Sequence, residues 1–392
     1  MATMSATTFL ISIAHNRQIG CTKNWLADTH KSDKENVMAR DELVQSAIDN
    51  WAPRFIANGI DYNDFQRVTA SIERWDDWCQ AWSECGALHA QMGEQAEAQG
   101  LYVSAAQHYF QASMCYHFGK FLFVHNPQAL RVAHEHTVNT YKKALPYFEV
   151  PGEHVEIPYE HGARMYGILR KPWHTPRPPV VLLVPGLDSV KEEMHLYGND
   201  FLRRGMAVLA LDGPGQGEME FEHAMRYDYE VPVRYAIDYL ESRADVDAKR
   251  VGLMGVSLGG YYAPRAAAFE PRLKAAIANC GGYNFLGHFD RLPGHTRAAF
   301  IHRLKAADEA DARKKLAAFN LEGVMERIQC PLLIIMGRRD RLVPPSDAER
   351  MAAEAPRVAE LWMFEDGNHV CNNIPYKHRP QQADWMRAKL MA

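Results

Sequence analysis

From Pro151 to the C-terminus the chain alternates short runs of β-branched and aliphatic residues with stretches of helical spacing, and nothing else in it restricts the fold as much. The runs lie at Val155–Pro158, Met165–Leu169, Val180–Val184, Ala207–Leu211, Val251–Val256, Ala275–Asn279, Leu332–Met336 and Leu361–Phe364. Helical stretches separate most of them, among them Tyr229–Ser242, Leu258–Phe269 and Asp347–Glu354. A strand that returns through a helix pairs in parallel with its predecessor. The pattern therefore predicts an α/β fold, a mostly parallel eight-stranded sheet with helices on both faces. The first two runs have no helix between them and read as an antiparallel hairpin at the sheet edge. Pro172–Pro179 reads as a proline-rich surface connection.

Before residue 150 the character is different. From about Asp41 to Phe148 the apolar residues keep helical spacing, through Trp75–Gln99, Leu101–Phe123 and Pro127–Tyr147, with Gly100 and His125-Asn126-Pro127 as breakers. The paired helices resemble tetratricopeptide hairpins in outline, without a fixed repeat period. The length of 392 residues suits two domains. The expected organisation is an irregular arm over 1–35, a helical domain over 36–149 and an α/β domain over 150–392. Phe9–Ala14 is short and lacks a basic flank, so it reads as a strand or arm rather than a signal peptide.

Composition removes several function classes. No apolar run approaches the ~20 residues that span a bilayer. The formal net charge is −4, with no long block of like charge, so neither a nucleic-acid footprint nor a polybasic membrane patch is expected. The seven cysteines are odd in number and show no CxxC spacing, which fits reduced thiols in the cytoplasm better than a disulfide framework or a zinc site.

The chemistry is carried by Gly255-Val256-Ser257-Leu258-Gly259-Gly260, a G-x-S-x-G motif between the run Val251–Val256 and the helical stretch Leu258–Phe269. The bare motif arises by chance in roughly a tenth of chains this long at ordinary Gly and Ser usage, so its strand-to-helix setting is what gives it meaning. A sharp turn there holds the serine in a strained conformation with Oγ exposed. Side chains at the flanking positions would collide across the turn, and the helix start directs free N–H groups at developing negative charge. A lone serine is a weak nucleophile and needs a base with an orienting acid. Sites of this build run serine, acid, histidine along the chain. Asp340 follows the run Leu332–Met336, and His369 follows Leu361–Phe364, each in a loop at a strand's C-terminal end. Asp366 is the competing acid, too close to His369 in sequence for the usual geometry. The loop Pro185-Gly186-Leu187-Asp188 offers the Leu187 N–H as an oxyanion donor beside the Leu258 N–H. No metal or organic cofactor is needed for this chemistry.

Together, Pro185-Gly186-Leu187-Asp188-Ser189-Val190-Lys191-Glu192-Glu193, Leu211-Asp212-Gly213-Pro214-Gly215-Gln216-Gly217-Glu218 and Val256-Ser257-Leu258-Gly259-Gly260 resemble one α/β-hydrolase subgroup. It comprises 2,6-dihydroxypseudooxynicotine hydrolase, fungal polyketide-shortening hydrolases and fermentation-respiration switch proteins. The resemblance runs from about residue 50 to the C-terminus and includes the helical part around Trp75–Cys79 and Tyr116-His117-Phe118. It implies a helical cap over the active site, cleavage of a carbon–carbon bond beside a ketone in a small carbonyl compound, and a homodimer. It matches its triad to Ser257, Asp340 and His369. Asn284–Arg297 departs from the subgroup's pattern. The resemblance implies extra polar pocket residues there, and Asp290 is the carboxylate on offer.

Several residues allow two readings. Trp75, Trp78 and Trp82 share one helix face and form either a core stripe or a substrate wall. The same choice holds for Tyr116, His117, Phe118 and Phe121, of which Tyr116, His117 and Phe121, with Asp290, are the pocket candidates. Asp212 and Glu218 read as loop-holding carboxylates, and Lys191, Glu192 and Glu193 as a charge cluster at a helix start. Ester, thioester or amide hydrolysis by the same triad, or an idle binding protein on this scaffold, are the alternatives to carbon–carbon cleavage.

Overall fold

The computed structural model describes residues 40–392, which form one compact unit. The expected arm at 1–35, with Phe9–Ala14 and Cys21, lies outside the described residues. Five helices come first: α1 (Glu42–Ala57), α2 (Tyr62–Ser71), α3 (Trp78–Ala98), α4 (Tyr102–Lys120) and α5 (Pro127–Ala144). Their starts follow local chemistry. Asp41 accepts a hydrogen bond from the Leu43 N–H at 2.8 Å, Asp61 accepts from Asn63, and Asn126 caps α5 just before Pro127. Gly100 takes the left-handed conformation, φ 73°, that turns α3 into α4. The Trp75 end of the expected helical stretch Trp75–Gln99 is a separate 3-10 turn, Trp75–Asp77.

The sheet contains β1 (Gly152–Pro158), β2 (Arg164–Arg170), β3 (Pro179–Val184), β4 (Ala207–Asp212), β5 (Asp247–Val256), β6 (Leu273–Asn279), β7 (Leu332–Gly337) and β8 (Ala359–Phe364). Interleaved with them are α6 (His195–Leu202), α7 (Glu230–Glu241), α8 (Leu258–Phe269), α9 (Gly294–Arg303), α10 (Glu309–Leu316) and α11 (Pro345–Glu354), with α12 (Pro375–Met391) closing the chain. The spatial order is β1-β2-β4-β3-β5-β6-β7-β8. β1 and β2 form the antiparallel edge hairpin, β2 joins β4 antiparallel, and every later pairing is parallel. All residues of β3, β4 and β7 are buried, as expected for strands covered on both faces.

One apolar cluster runs from the helices into the sheet, so α1–α5 are packed onto the α/β part rather than tethered to it. Trp75, Trp78 and Trp82 belong to that core, and the Trp78 indole donates to the Phe118 carbonyl at 2.9 Å. Lys191, Glu192 and Glu193 sit in a buried 3-10 turn that leads into α6, where Lys191 pairs with Glu192 and reaches Asp212 and Glu218, and Glu193 pairs with Arg54.

Candidate active site

The end of β5, the turn at Ser257 and the start of α8 build the centre of the site. Ser257 has φ 56° and ψ −117°, a strained conformation fixed by its surroundings. A Cβ on Gly255 would meet the Gly259 carbonyl oxygen at 1.9 Å, and one on Gly259 would meet the Val184 oxygen at 2.3 Å, so glycine is obligatory at both. Cys280, Val370 and Cys371 also have positive φ, which gathers strain around the serine and histidine loops.

Ser257 Oγ lies 2.9 Å from His369 Nε2, and His369 Nδ1 lies 2.7 Å from Asp340 Oδ2. The other carboxylate oxygen, Oδ1, accepts from the backbone N–H groups of Leu342 and Val343 at 2.8 and 3.0 Å, which fixes the acid. Asp340 thus takes the Nδ1–H, and the lone pair of Nε2 faces the serine. Asp366 sits elsewhere, paired with Lys377 on the surface.

The loop after β3 closes on the serine. A Cβ on Gly186 would lie 3.1 Å from Ser257 Cβ, so the backbone carrying Leu187 packs directly against the nucleophile's side chain. Leu187 and Leu258 both line the pocket in front of Ser257. Gln216 holds this loop by donating to the Pro185 and Gly186 carbonyls at 2.8 and 3.1 Å, while Tyr229 donates to its Oε1 at 2.8 Å. Asp212 accepts from the backbone and the ammonium of Lys191, each at 2.8 Å, and Glu218 lies 2.7 Å from the same ammonium. Both carboxylates hold loops and neither lines the pocket.

Three residues of the helical part close the pocket: Trp51, Arg54 and Asn58, at i, i+3 and i+7 on α1 and its cap. Trp51 stands edge-on to His369, ring centroids 6.1 Å apart. Arg54 reaches Glu193 through Nε and Nη2 at 2.7 and 2.8 Å and Asp188 through Nη1 at 2.7 Å. Burial opposes the guanidinium charge, but Asp188 and Glu193 outweigh it and hold it protonated. Burial likewise opposes the Glu193 charge, and Arg54 overrides it, keeping that carboxyl well below the usual range. Asn58, Ser189 and His117 complete the shell of Glu193. His117 is pushed down by burial and stays neutral, donating Nε2–H to the carboxylate at 2.9 Å. Phe285, His288, Leu292, Thr296 and Phe300 line the pocket from the segment after β6, and Arg379 of α12 ties down the end of α1 through Ala57 and Asn58.

The family model described as "Esterase FrsA-like" matches residues 63–388. The chain belongs to the FrsA-like esterase family. It is similar to the 2,6-dihydropseudooxynicotine hydrolase of Paenarthrobacter nicotinovorans, 31% identical over 360 residues that cover 91% of this chain and 94% of that one. The crystal structure of the 2,6-dihydroxy-pseudo-oxynicotine hydrolase matches with a TM-score of 0.80 at 30% identity, over 87% of this chain and 96% of that one. Hydrolase LUC6 of Fusarium sp is 28% identical, over 74% of this chain and 81% of that protein. This FrsA-like family member is a hydrolase of the α/β-hydrolase fold.

The pocket candidates from the helical part are corrected. None of Tyr116, His117 and Phe121 lines the cavity. His117 of α4 and Phe121 at its C-cap form the layer behind it: His117 on Glu193, and Phe121 against Trp51 with centroids 6.1 Å apart. Tyr116 faces the other way, packed on Gly86 and stacked on His136. Asp290 lies on the surface, its side chain 71% exposed and paired with Arg313; the polar residues that its segment does supply to the pocket are His288 and Thr296. The sequence signal for Trp51, Arg54 and Asn58 is an arginine set within an otherwise apolar helical stripe.

Proposed function

We propose that this hydrolase forms an acyl-enzyme on Ser257 and cleaves the carbon–carbon bond beside a ketone in a small aryl ketone or β-diketone. The observation that carries the reading is the enclosure of the Ser257–His369–Asp340 constellation under α1, with a buried arginine and two carboxylates facing the same cavity. His369 Nε2 takes the Ser257 proton as Oγ attacks the carbonyl carbon. The Leu187 and Leu258 N–H groups receive the oxyanion. As the tetrahedral intermediate collapses, the carbon–carbon bond breaks and protonated His369 delivers its proton to the departing carbon. Water, deprotonated by the same histidine, then releases the acid and restores Ser257.

A carbon leaving group must depart as an enolate or an electron-rich ring, in a site that keeps solvent from competing for the proton. Trp51 and the α1 stripe supply that closure. Arg54 spends three N–H groups on carboxylates and retains two for a developing negative charge. Support also comes from the relative named for hydrolysis of a dihydropseudooxynicotine. Residues 36–149 act as the cap and 150–392 as the catalytic domain. A homodimer is the expected assembly, checked by light scattering. The six described cysteines are all free, which supports a reducing, cytoplasmic setting, and no described helix is long and apolar enough to cross a membrane.

The family's description as an esterase favours a second reading, ester or thioester hydrolysis by the same residues. Two measurements separate the possibilities. A fluorophosphonate probe is expected to label Ser257; absence of labelling sinks the nucleophile assignment. Turnover of an acyl-phloroglucinol-type ketone is then compared with that of p-nitrophenyl esters, and rapid ester turnover with an inert ketone transfers the assignment to the second reading.

A further inference from the structure

We propose that Cys85, His89 and Cys115 form a binding site for a thiolate-preferring divalent metal ion such as zinc, tying α3 to α4. Cys85 and His89 lie one turn apart on α3, so their side chains share a face. Cys115 comes from α4, with its Sγ 3.6 Å from that of Cys85. One imidazole nitrogen and the two sulfurs all lie within 4.8 Å of one another. Two zinc–sulfur bonds of ~2.3 Å at a tetrahedral angle place sulfurs about 3.8 Å apart, whereas a disulfide holds them at ~2.05 Å. The observed 3.6 Å, at which the Cys115 thiol donates to Cys85 Sγ, is far from a disulfide and close to the spacing that two ligands on one ion require.

The surroundings of His89 point the same way. Asp64 Oδ2 lies 2.7 Å from Nε2, which fixes the ring, while the buried Nδ1 has no hydrogen-bond partner among the described residues. A carboxylate on one imidazole nitrogen and a metal on the other is the usual way such ligands are oriented. Arg67 Nη2 pairs with Asp64 at 2.6 Å and lies 3.5 Å from Cys85 Sγ, placed to donate to a coordinated thiolate. The charges balance: two thiolates offset a divalent ion, and Arg67 offsets Asp64. Loading releases one proton from each thiol and changes no oxidation state. Cys85 and Arg67 also border a surface hollow shared with Ser71 and Glu84, an approach for the ion from solvent on the Cys85 side. A Cys-x3-His pair on one helix and a cysteine 30 residues further on make no recognised zinc spacing, which is why the sequence points to no metal.

The test is titration of the reduced, metal-stripped full chain with Co²⁺. Saturation is expected at one ion per chain, with thiolate-to-cobalt charge-transfer bands in the near ultraviolet, visible bands of tetrahedral intensity, and about two protons released per ion. Zinc should displace the cobalt. Cys115→Ser and His89→Gln should abolish the bands, Cys330→Ser should keep them, and Asp64→Asn should weaken binding by roughly 10–100-fold. If Cys115→Ser fails to fold, the partly exposed His89→Gln decides. The proposal is overturned if no thiolate–cobalt spectrum appears, or if the spectrum survives both ligand substitutions. It is equally overturned if hydroperoxide treatment joins Cys85 and Cys115 as a disulfide in a chain that takes up no metal when reduced.

Discussion

Replacing Arg54 by methionine tests whether the helical part holds the catalytic loops in place. The change keeps most of the side-chain volume and removes three charge-assisted hydrogen bonds of 2.7, 2.7 and 2.8 Å. It strands two carboxylates with side-chain exposures of 8% for Asp188 and 2% for Glu193. Breaking a buried pair from one side costs about 3–5 kcal/mol, because the remaining charge has lost its compensation. Glu193 keeps three neutral donors, from Asn58, Ser189 and His117, which places the expectation toward the lower end. In a protein of this size that corresponds to a fall in Tm of roughly 4–5 °C. Activity falls as well, since Asp188 adjoins Leu187, whose N–H is the proposed oxyanion donor. The pH dependence has a definite sign. In the wild type Arg54 holds Glu193 well below its ordinary range, so this stabilisation exists at neutral pH and fades in acid. In Arg54→Met burial dominates and raises the same carboxyl, so the penalty relaxes as protonation neutralises it. The stability gap between the two proteins is therefore expected to narrow from pH 7 to pH 4.5, measured by urea unfolding. Adding Glu193→Gln is expected to recover part of the loss, a coupling on the order of 1–3 kcal/mol. A variant within 1 kcal/mol of wild type at pH 7, a gap that does not narrow, or strictly additive losses would refute the reasoning.

Three further outcomes are expected. Ser257→Ala lowers kcat by a factor on the order of 10⁶ without changing the unfolding curve, and Asp340→Asn is far more damaging than Asp366→Asn; the reverse ranking in kcat identifies the wrong acid. Gln216→Leu loosens the Pro185–Gly186 carbonyls and lowers kcat more than it raises KM, whereas a pure KM effect would assign Gln216 to substrate binding. Burial lowers His295 to about 4, so its contribution is complete above the ordinary histidine range and is lost as pH falls toward 4. Between pH 7 and 5 this amounts to roughly 2 kcal/mol, and His295→Gln is expected to flatten the stability profile by that amount in the same window.

Local rules explain what the sequence made legible. The strand and helix order, the edge hairpin and the turn at Ser257 follow from side-chain periodicity and from glycines whose Cβ positions are sterically closed. Asp340 and His369 were readable because both follow parallel strands, whose C-terminal ends lie side by side in such a sheet. What closes the pocket was decided only by tertiary packing. Helical spacing groups Trp51, Arg54 and Asn58 on one face but does not say that this face meets residues 188 and 193. The Arg54–Glu193 bonds span 139 positions, and α1 is seated by Arg379 from the far end of the chain. The same limit explains the misplaced aromatics. Tyr116 and His117 are neighbours in sequence, yet one faces His136 and the other Glu193, because successive residues on a helix point about 100° apart. Asp290 had the right residue type in the right segment, and its exposure beside Arg313 of α10 was set by tertiary packing. Periodicity and steric closure are properties of neighbouring residues, so sequence alone determines them. Which charge is buried, and against what, depends on surfaces that meet only once the whole chain has packed.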